Sequence, residues 1–382
     1  MRIIHTADWH LGRQFHNVSL IEDQRHVLEQ LVTLASAAEA DALIIAGDVF
    51  DRAVPGPEAV QLLDEVLGEL VLARGIPVLM IAGNHDSGRR LGFAAGLLAQ
   101  AGLHVYARPT AAPRLLTLLD RYGPVHFIGL PYAEPAEVRE ASGHAGLQGH
   151  GETMRWLTSA ALESVPAGER SVCIAHCFVA GGSESESERP LSVGGAAAVD
   201  VDCFQGFSYT ALGHLHQPQA SAARVHYSGS LLKYSFSEIS HRKSVNVVEL
   251  GRGGSVKVER APLEPRRDLR LLEGELVSLL EGPDAGEDRE DFLLVRLTDT
   301  GHLLDPMGRL REVYPNVLHI ERPALARAGP NALQAYRAGG TDVRLFADFH
   351  QQVTGEPLSE AQRAAFEAVL EQVLRAGRES PA

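Results

Sequence analysis

Five short clusters of carboxylate, amide and imidazole side chains recur in the first part of the chain, each directly after an apolar run. They are Asp8-Trp9-His10, Gly47-Asp48-Val49-Phe50-Asp51, Gly83-Asn84-His85-Asp86, His176 and Gly213-His214-Leu215-His216. Singly they say little. An Asp-x-His triplet is more often a turn carboxylate beside a surface histidine, Gly-Asp after a strand is as often a simple turn, and a lone histidine is usually structural. Gly-Asn-His-Asp is stronger, because three polar residues follow a strand with no polar face. Together the five offer mixed imidazole, carboxylate and amide donors. That set suits manganese, iron or zinc better than magnesium or calcium. Two such cations about 3.5–4 Å apart clamp a phosphate, activate water and stabilise the leaving oxygen. A carboxylate bridging them must be anionic and rigid, and Asp48 is the best candidate. Period-two geometry is expected to turn His214 and His216 to one side of a strand.

The elements that position these clusters follow from the apolar pattern. Arg2–Thr6, Ala42–Ala46, Pro77–Ile81, Ser171–Ala175 and Tyr209–Leu212 read as strands, and every cluster lies at the end of one. Strand ends are where open α/β sheets carry their sites. Helical spacing over Asp23–Ala38 and Pro57–Ala73 gives a βαβαβ rhythm and a mainly parallel sheet. Leu115–Leu119 and Val125–Leu130, joined by Arg121-Tyr122-Gly123, read as a hairpin. Val225–Tyr227, Ser244–Leu250 and Ser255–Glu259 add strands to an expected second sheet, giving a four-layer αββα sandwich over residues 1–262. Ala180–Pro190, rich in Gly, Ser and Glu, is expected to be a solvated loop. Pro262–Arg267 marks a boundary. Residues 268–322 then read as a small α+β domain, Ala324–Gly340 as a linker, and Val343–Val353 and Ser359–Leu374 as amphipathic helices. Ser359 and Gln362 make a capping box for the last of these.

Composition narrows the function. The formal charge of −14 over 382 residues argues against coating nucleic acid by bulk charge, because neutralising phosphates needs Lys and Arg. It leaves room for a nuclease that holds phosphate with local arginines, helix N-termini and cations. Cys173, Cys177 and Cys203 are expected to be reduced and partly buried. Cys173, His176 and Cys177 lack the second Cys pair that a structural zinc site needs. No apolar run approaches the roughly 20 residues of a membrane span. MRIIHTADWH lacks the basic and apolar blocks of a signal peptide, so the expected location is the cytoplasm.

The ordered set resembles the calcineurin-like metallophosphoesterases. The resemblance implies one cation on Asp8, His10, Asp48 and His216, and another on Asp48, Asn84, His176 and His214. His85 would then face the scissile phosphate and protonate the leaving oxygen, with Asp51 orienting it. MRIIHTADWHLGRQF, GDVFDRAVP, IAGNHD and the ending DVRLFADFHQQVTGEPLSEAQRAAFEAVL are similar to the SbcD family of bacterial repair nucleases, from residue 1 to about 375. That likeness implies manganese-dependent cleavage of DNA in break and hairpin processing: 3′-to-5′ exonuclease action on duplex ends, endonuclease action on hairpins or single strands. It also implies a DNA-capping role for 268–322, docking of helices within 343–377 on the coiled-coil base of SbcC, an SMC-type ATPase, and a homodimer. The dimer surface is expected in the helix Asp23–Ala38 or Gly88–Gln100. Arg13, Arg52, Arg89 and Arg90 are candidates for DNA phosphates, against the alternative of ordinary solvated arginines. His5, His26, His104 and His126 are taken as structural. Two rival functions stand beside this one: a small-substrate phosphodiesterase or phosphatase of the same fold, and a non-enzymatic adaptor for SbcC.

Overall fold

Residues 42–46 are completely buried, every one of them, because a parallel strand in mid-sheet is covered on both faces. This strand lies at the centre of the computed structural model, which describes residues 1–110, 113–188, 198–301, 303–323 and 342–379. The chain divides into two compact units, Met1–Asp268 and Leu269–Ala382.

The first unit holds two six-stranded sheets. One runs in the order Val256–Pro262, Ser244–Leu250, Arg2–Thr6, Ala42–Ala46, Val78–Ile81, Leu103–Tyr106. The other runs Gln219–Ala222, Val225–Tyr227, Tyr209–Gly213, Arg170–His176, Gly123–Leu130, Leu115–Asp120. Ile3, Ile44 and Leu79 from the first pack with Phe127, Val172 and Ile174 from the second. Outside the second sheet, the helix His150–Glu163 lays Met154, Leu157 and Ala161 on Ile128, Cys173 and Ala175. Ile21–Ala37 buries Val27, Leu28, Leu31, Val32 and Ala35, the one-face spacing of an amphipathic helix. The result is the αββα sandwich.

Three expectations are corrected. Ser244–Leu250 and Val256–Pro262 belong to the first sheet, not the second: Ser244–Leu250 pairs antiparallel with the first strand, Ile3 opposite Val248. Their alternation is the same in either sheet, but Val248 and Leu250 face the core between the sheets. The helix from Pro57 ends in a wider π turn over Gly68–Ala73. Gly88–Gln100 is broken into Gly88–Leu91 and Ala95–Ala101 by Ala94, whose φ is 57°.

In the second unit Leu269–Gly274, Phe292–Leu297 and Val317–Glu321 form a parallel three-stranded sheet. Leu293, Val295 and Leu297 pack there with Leu310 and Tyr314. The helices Asp342–Thr354 and Glu360–Glu379 follow. The capping box is reciprocal: Ser359 N–H donates to Gln362 Oε1 (2.9 Å) and Gln362 N–H to Ser359 Oγ (3.3 Å). Phe346 stacks on Phe366 at 4.0 Å between ring centroids. The linker expected at 324–340 lies outside the described residues. All three cysteines are buried and unpaired. No described helix is long and apolar enough to cross a membrane.

Arg170 grips both Asp120 oxygens, at 2.8 and 2.6 Å, in a mostly buried pair. The guanidinium hydrogen bonds hold the carboxyl well below its usual range, against the opposing effect of burial. A depressed folded-state pKa stabilises above the unfolded value and is lost as pH falls. Asp120→Asn should therefore cost about 3 kcal/mol at neutral pH, since it strands a buried charge. The gap to wild type should narrow below about pH 4. Urea melts of both proteins at several pH values check this.

Candidate active site

The five clusters meet at one place because they leave the same ends of parallel strands from both sheets. Two of them continue as a short ladder beyond the sheet. Asp8 N–H donates to Gly47 O (3.1 Å), His10 N–H to Asp48 O (2.9 Å) and Leu11 N–H to Val49 O (2.9 Å). The Asp86 carboxylate ties in the third, accepting N–H bonds from Val49, Phe50 and Gly83 at 2.9–3.1 Å. Burial, then the charge of Asp48, pushes the Asp86 carboxyl up to about 6. Gln24 donates to Trp9 O and His10 O, and the Tyr234 hydroxyl also donates to Trp9 O. Two glycines permit the close approach. A Cβ on Gly83 would lie 2.1 Å from Asp48 Oδ1, and one on Gly213 would lie 2.0 Å from Ala46 O across the sheets.

The backbone is strained where the polar side chains turn inward. Asp8, His10, Asp48 and His214 all have positive φ, between 46° and 110°. Each such residue costs about 1–3 kcal/mol, and such strain clusters at functional sites. His214 lies beyond the end of its strand, so the period-two expectation fails. His214 Nδ1 approaches Asn84 Oδ1 (3.3 Å), while His216 Nε2 approaches His10 Nε2 (3.1 Å).

The ring nitrogens and carboxylate and amide oxygens converge on one small region. His176 Nδ1–H donates to Ala46 O at 2.9 Å, which turns Nε2 toward Asn84 Oδ1 (2.8 Å) and Asp48 Oδ2 (3.5 Å). Asp48 Oδ2 also lies 3.7 Å from His10 Nε2 and 4.0 Å from His85 Nε2. Ligand atoms of Asp8, His10 and His216, and of Asp8, Asp48 and His176, lie within 4.8 Å of one another. Asp8 thus reaches toward both groups. His10 Nδ1 is buried and has no hydrogen-bond partner among the described residues; Asp51 Oδ1 lies 3.7 Å away.

Buried carboxylates and imidazoles in such a cluster need compensation. Burial raises the Asp8 carboxyl, and the neighbouring Asp48 adds to that; the Asp48 carboxyl is held low by His176 and His10 although burial opposes it. His176 is pushed up to about 9 by the Asp48 and Asp8 carboxylates, which outweigh burial. Burial keeps His10 and His216 neutral, and burial followed by the charge of His176 takes His214 down to about 3. Neutral imidazoles facing carboxylates, an amide oxygen facing an imidazole, and two nitrogens 3.1 Å apart form a donor set that fits divalent cations.

His85 lies at the open side of the cluster. Its Nδ1 donates to the main-chain carbonyl of Asp51 (2.9 Å), and its own N–H donates to Asp48 Oδ1 (2.8 Å). Asp51 thus meets His85 through its backbone. Its carboxylate pairs instead with Arg13 (3.1 Å), whose guanidinium also lies over the Tyr234 ring. Arg13 is part of the site's frame. Arg52 is 72% exposed at its side chain, and Arg89 and Arg90 are exposed on the short helix that follows His85.

The solvated loop expected at 180–190 is exposed at Ala180, Gly181, Ser183, Glu184 and Glu186, but the expectation is corrected at the next two residues. Ser187 and Glu188 are buried, and both bind His216: Ser187 Oγ lies 2.6 Å from Nδ1, and Glu188 Oε1 accepts the His216 N–H at 2.6 Å. Sequence reasoning missed these two, and also Glu238, Lys243, Gln24 and Tyr234. None carries a motif or a periodic signal. Asp86 was visible inside Gly-Asn-His-Asp, but its role as a tie between loops was not.

Facing sheets whose strand ends deliver carboxylates and imidazoles to one cluster define a dimetal phosphoesterase architecture. A family model described as calcineurin-like phosphoesterase matches residues 1–218, and one described as type 5 capsule protein repressor C-terminal domain matches 265–354. The chain is 30% identical to the SbcD component of nuclease SbcCD from Staphylococcus epidermidis, over 98% of this chain and 99% of that one. It is also 30% identical to the component of that name from Staphylococcus saprophyticus, over 99% and 100%. The chain belongs to the calcineurin-like phosphoesterases and, within them, to this family of nuclease components. Solved structures share 13–16% identity: TT1561 of Thermus thermophilus (TM-score 0.39, covering 68% of this chain and 98% of that one) and a dimetal phosphatase from Danio rerio (TM-score 0.40, 69% and 99%).

Proposed function

We propose that the chain is a manganese-dependent DNA nuclease acting in the cytoplasm, on nucleoid DNA, in complex with an SbcC-type ATPase. The observation that carries this is the convergence of five strand-end clusters on a buried group of imidazole, carboxylate and amide atoms, with His85 beside them on the open side. Asp8, His10, Asp48 and His216 would hold one cation, and Asp48, Asn84, His176 and His214 the other. When bound, a divalent pair supplies Lewis acidity to the phosphate and to the attacking water.

The chain's own residues do the rest. The Asp51 carbonyl fixes the His85 ring so that Nε2 faces the cluster; acting as the imidazolium, the ring gives its Nε2 proton to the leaving oxygen, keeps Nδ1–H on the carbonyl and is left neutral. Asp86 keeps the second and third loops in register. Arg89 and Arg90, exposed on the helix after His85, and the exposed Arg52, which pairs with Asp51, meet DNA phosphates. Exonuclease action on duplex ends and endonuclease action on hairpins or single strands belong to this reading. So does a capping role for 268–322.

Beyond the Phe346–Phe366 stack, the helices at 342–379 leave Phe349 and Val369 exposed, an apolar surface for a partner to bury. We assign that role to the coiled-coil base of the SbcC-type partner. Deleting residues 343–382 should abolish pull-down of the partner while weak metal-dependent cleavage persists. Unchanged pull-down would refute the docking role.

A homodimer is part of the same reading. An apolar groove lined by Val60, Leu72, Phe93 and Leu98 leaves Leu72 (75%) and Phe93 (81%) exposed, and Leu97 (77%), next to Leu98 in the chain, is exposed as well. A cluster of large exposed apolar side chains marks an interaction surface, and a second copy would cover it. The alternative helix, Ile21–Ala37, spends its apolar residues on its own core. Leu97→Glu should convert a dimer to a monomer in sedimentation experiments; an unchanged mass would move the interface elsewhere.

A further inference from the structure

We propose that Ser187 and Glu238 are positioning residues for His216, and that the loop carrying Ser187 governs one cation of the pair but not the other. This rests on the two-cation reading above and adds a control to it.

Hydrogen counting fixes the direction of the bonds. A serine hydroxyl has one hydrogen, and a carboxylate only accepts. The Ser187 hydroxyl donates to Glu238 Oε1 in a short bond. Its lone pair is therefore what faces His216 Nδ1 at 2.6 Å, so Nδ1 carries the hydrogen. In the neutral ring the lone pair then sits on Nε2, the nitrogen 3.1 Å from His10 Nε2 inside the cluster. Glu238 remains anionic because Lys243 Nζ holds its other oxygen at 2.6 Å; Lys243 also donates to His216 O (2.8 Å) and Ser230 Oγ (2.9 Å). The next residue of the loop completes the grip, with Glu188 Oε1 accepting the His216 N–H. Ring and backbone of one histidine are thus held by consecutive residues.

The loop itself is built for this. Ser185 Oγ reaches both Ser187 Oγ (3.0 Å) and Glu238 Oε1 (3.2 Å), and Glu186 N–H donates to Ser237 Oγ (3.1 Å). The Ser/Glu alternation seats this loop on the turn that carries Glu238. The other histidines are held differently. His176 is oriented by the main-chain carbonyl of Ala46, and His214 N–H donates to Asp8. Loss of the loop's grip therefore falls on the cation that includes His216.

The test uses the full chain, stripped with chelator and titrated with Mn2+ by calorimetry, with bound metal counted by mass spectrometry. Wild type should bind two ions. Ser187→Ala and Glu238→Gln should keep one at near wild-type affinity and bind the other about 10–100-fold more weakly, the range for lost partners of metal-binding histidines. Glu184→Ala, an exposed loop position, should match wild type. Equal weakening of both ions, or of neither, would overturn the proposal. Glu238→Gln leaves Lys243 without its partner; if it fails to fold, Ser187→Ala carries the test, because it leaves the Lys243–Glu238 pair in place. A second readout needs no metal. Nitrogen-15 NMR of the stripped chain should show His216 with its hydrogen on Nδ1, and a mixture of tautomers in Ser187→Ala. A hydrogen on Nε2 in wild type overturns the proposal, whereas the expected tautomer in a chain that binds no manganese sinks the two-cation reading instead.

Discussion

Replacing His85 with glutamine should leave both manganese ions bound and reduce DNA cleavage by about 10²–10⁴-fold, the usual contribution of a positioned proton donor. The prediction follows from where the ring sits. Nδ1 is committed to the Asp51 carbonyl, and Nε2 stands 4.0 Å from Asp48 Oδ2, on the open side of the cluster. The backbone N–H of residue 85, which anchors Asp48 Oδ1, survives the substitution. Glutamine fills similar space but gives no proton to a leaving oxygen. The loss should appear in kcat rather than KM, because proton donation matters only in the transition state. Loss of bound manganese in this variant would show that His85 is a ligand and that the assigned role is wrong. A leaving group too acidic to need protonation, such as p-nitrophenolate, should be cleaved with a much smaller penalty.

Asp48→Asn should do more damage, because the proposed assignment places Asp48 on both cations. Asp48 Oδ2 lies between His176 and His10, at 3.5 and 3.7 Å, and these imidazoles hold its carboxyl well below the usual carboxylate range against the effect of burial. An amide at this position supplies a neutral oxygen and turns N–H hydrogens toward positive charge. Cleavage should fall by about 10³-fold or more, since a Lewis acid contributes several kcal/mol to the barrier. The variant also has a signature independent of turnover. A ligand that binds only the folded chain adds about 2.7 kcal/mol of stability at one hundred times its Kd. Manganese should therefore raise the Tm of wild type and of His85→Gln, and leave Asp48→Asn unmoved. A manganese-dependent rise of wild-type size in Asp48→Asn would remove Asp48 from the bridging position.

The parts of this protein that the sequence announced are those where one residue type has few other uses. A fully apolar Ala42–Ala46 followed by Gly-Asp, or Gly-Asn-His-Asp after Val78–Ile81, reads directly as buried strand and strand-end site. The hairpin at 115–130 and the capping box at Ser359 were legible for the same reason. What was not legible depends on long-range pairing. Ser244–Leu250 alternates equally well in either sheet, and only its partner, the first strand, decides. The Ser/Glu stretch reads as solvated because its hydrogen-bond partners, His216 and Glu238, lie 28 to 53 residues away in the chain. The Asp51–His85 contact runs through a carbonyl, which every residue type has. The positive φ values at Asp8, His10, Asp48 and His214 have no glycine to betray them. Strain at four non-glycine positions is itself a sign that the site, and not local propensity, sets the backbone there.

The central claim is that the carboxylate–imidazole cluster cuts DNA with bound metal. It is tested most directly by cleavage of end-labelled duplex and hairpin DNA with manganese, magnesium or chelator. The purified chain would be assayed with and without the SbcC-type partner and ATP, beside Asp48→Asn and His85→Gln. The expected result is manganese-dependent cutting that both variants lose. No cutting even with partner and ATP, alongside turnover of a small phosphodiester, would contradict it and leave a phosphodiesterase of the same fold; no turnover of either substrate would leave the adaptor.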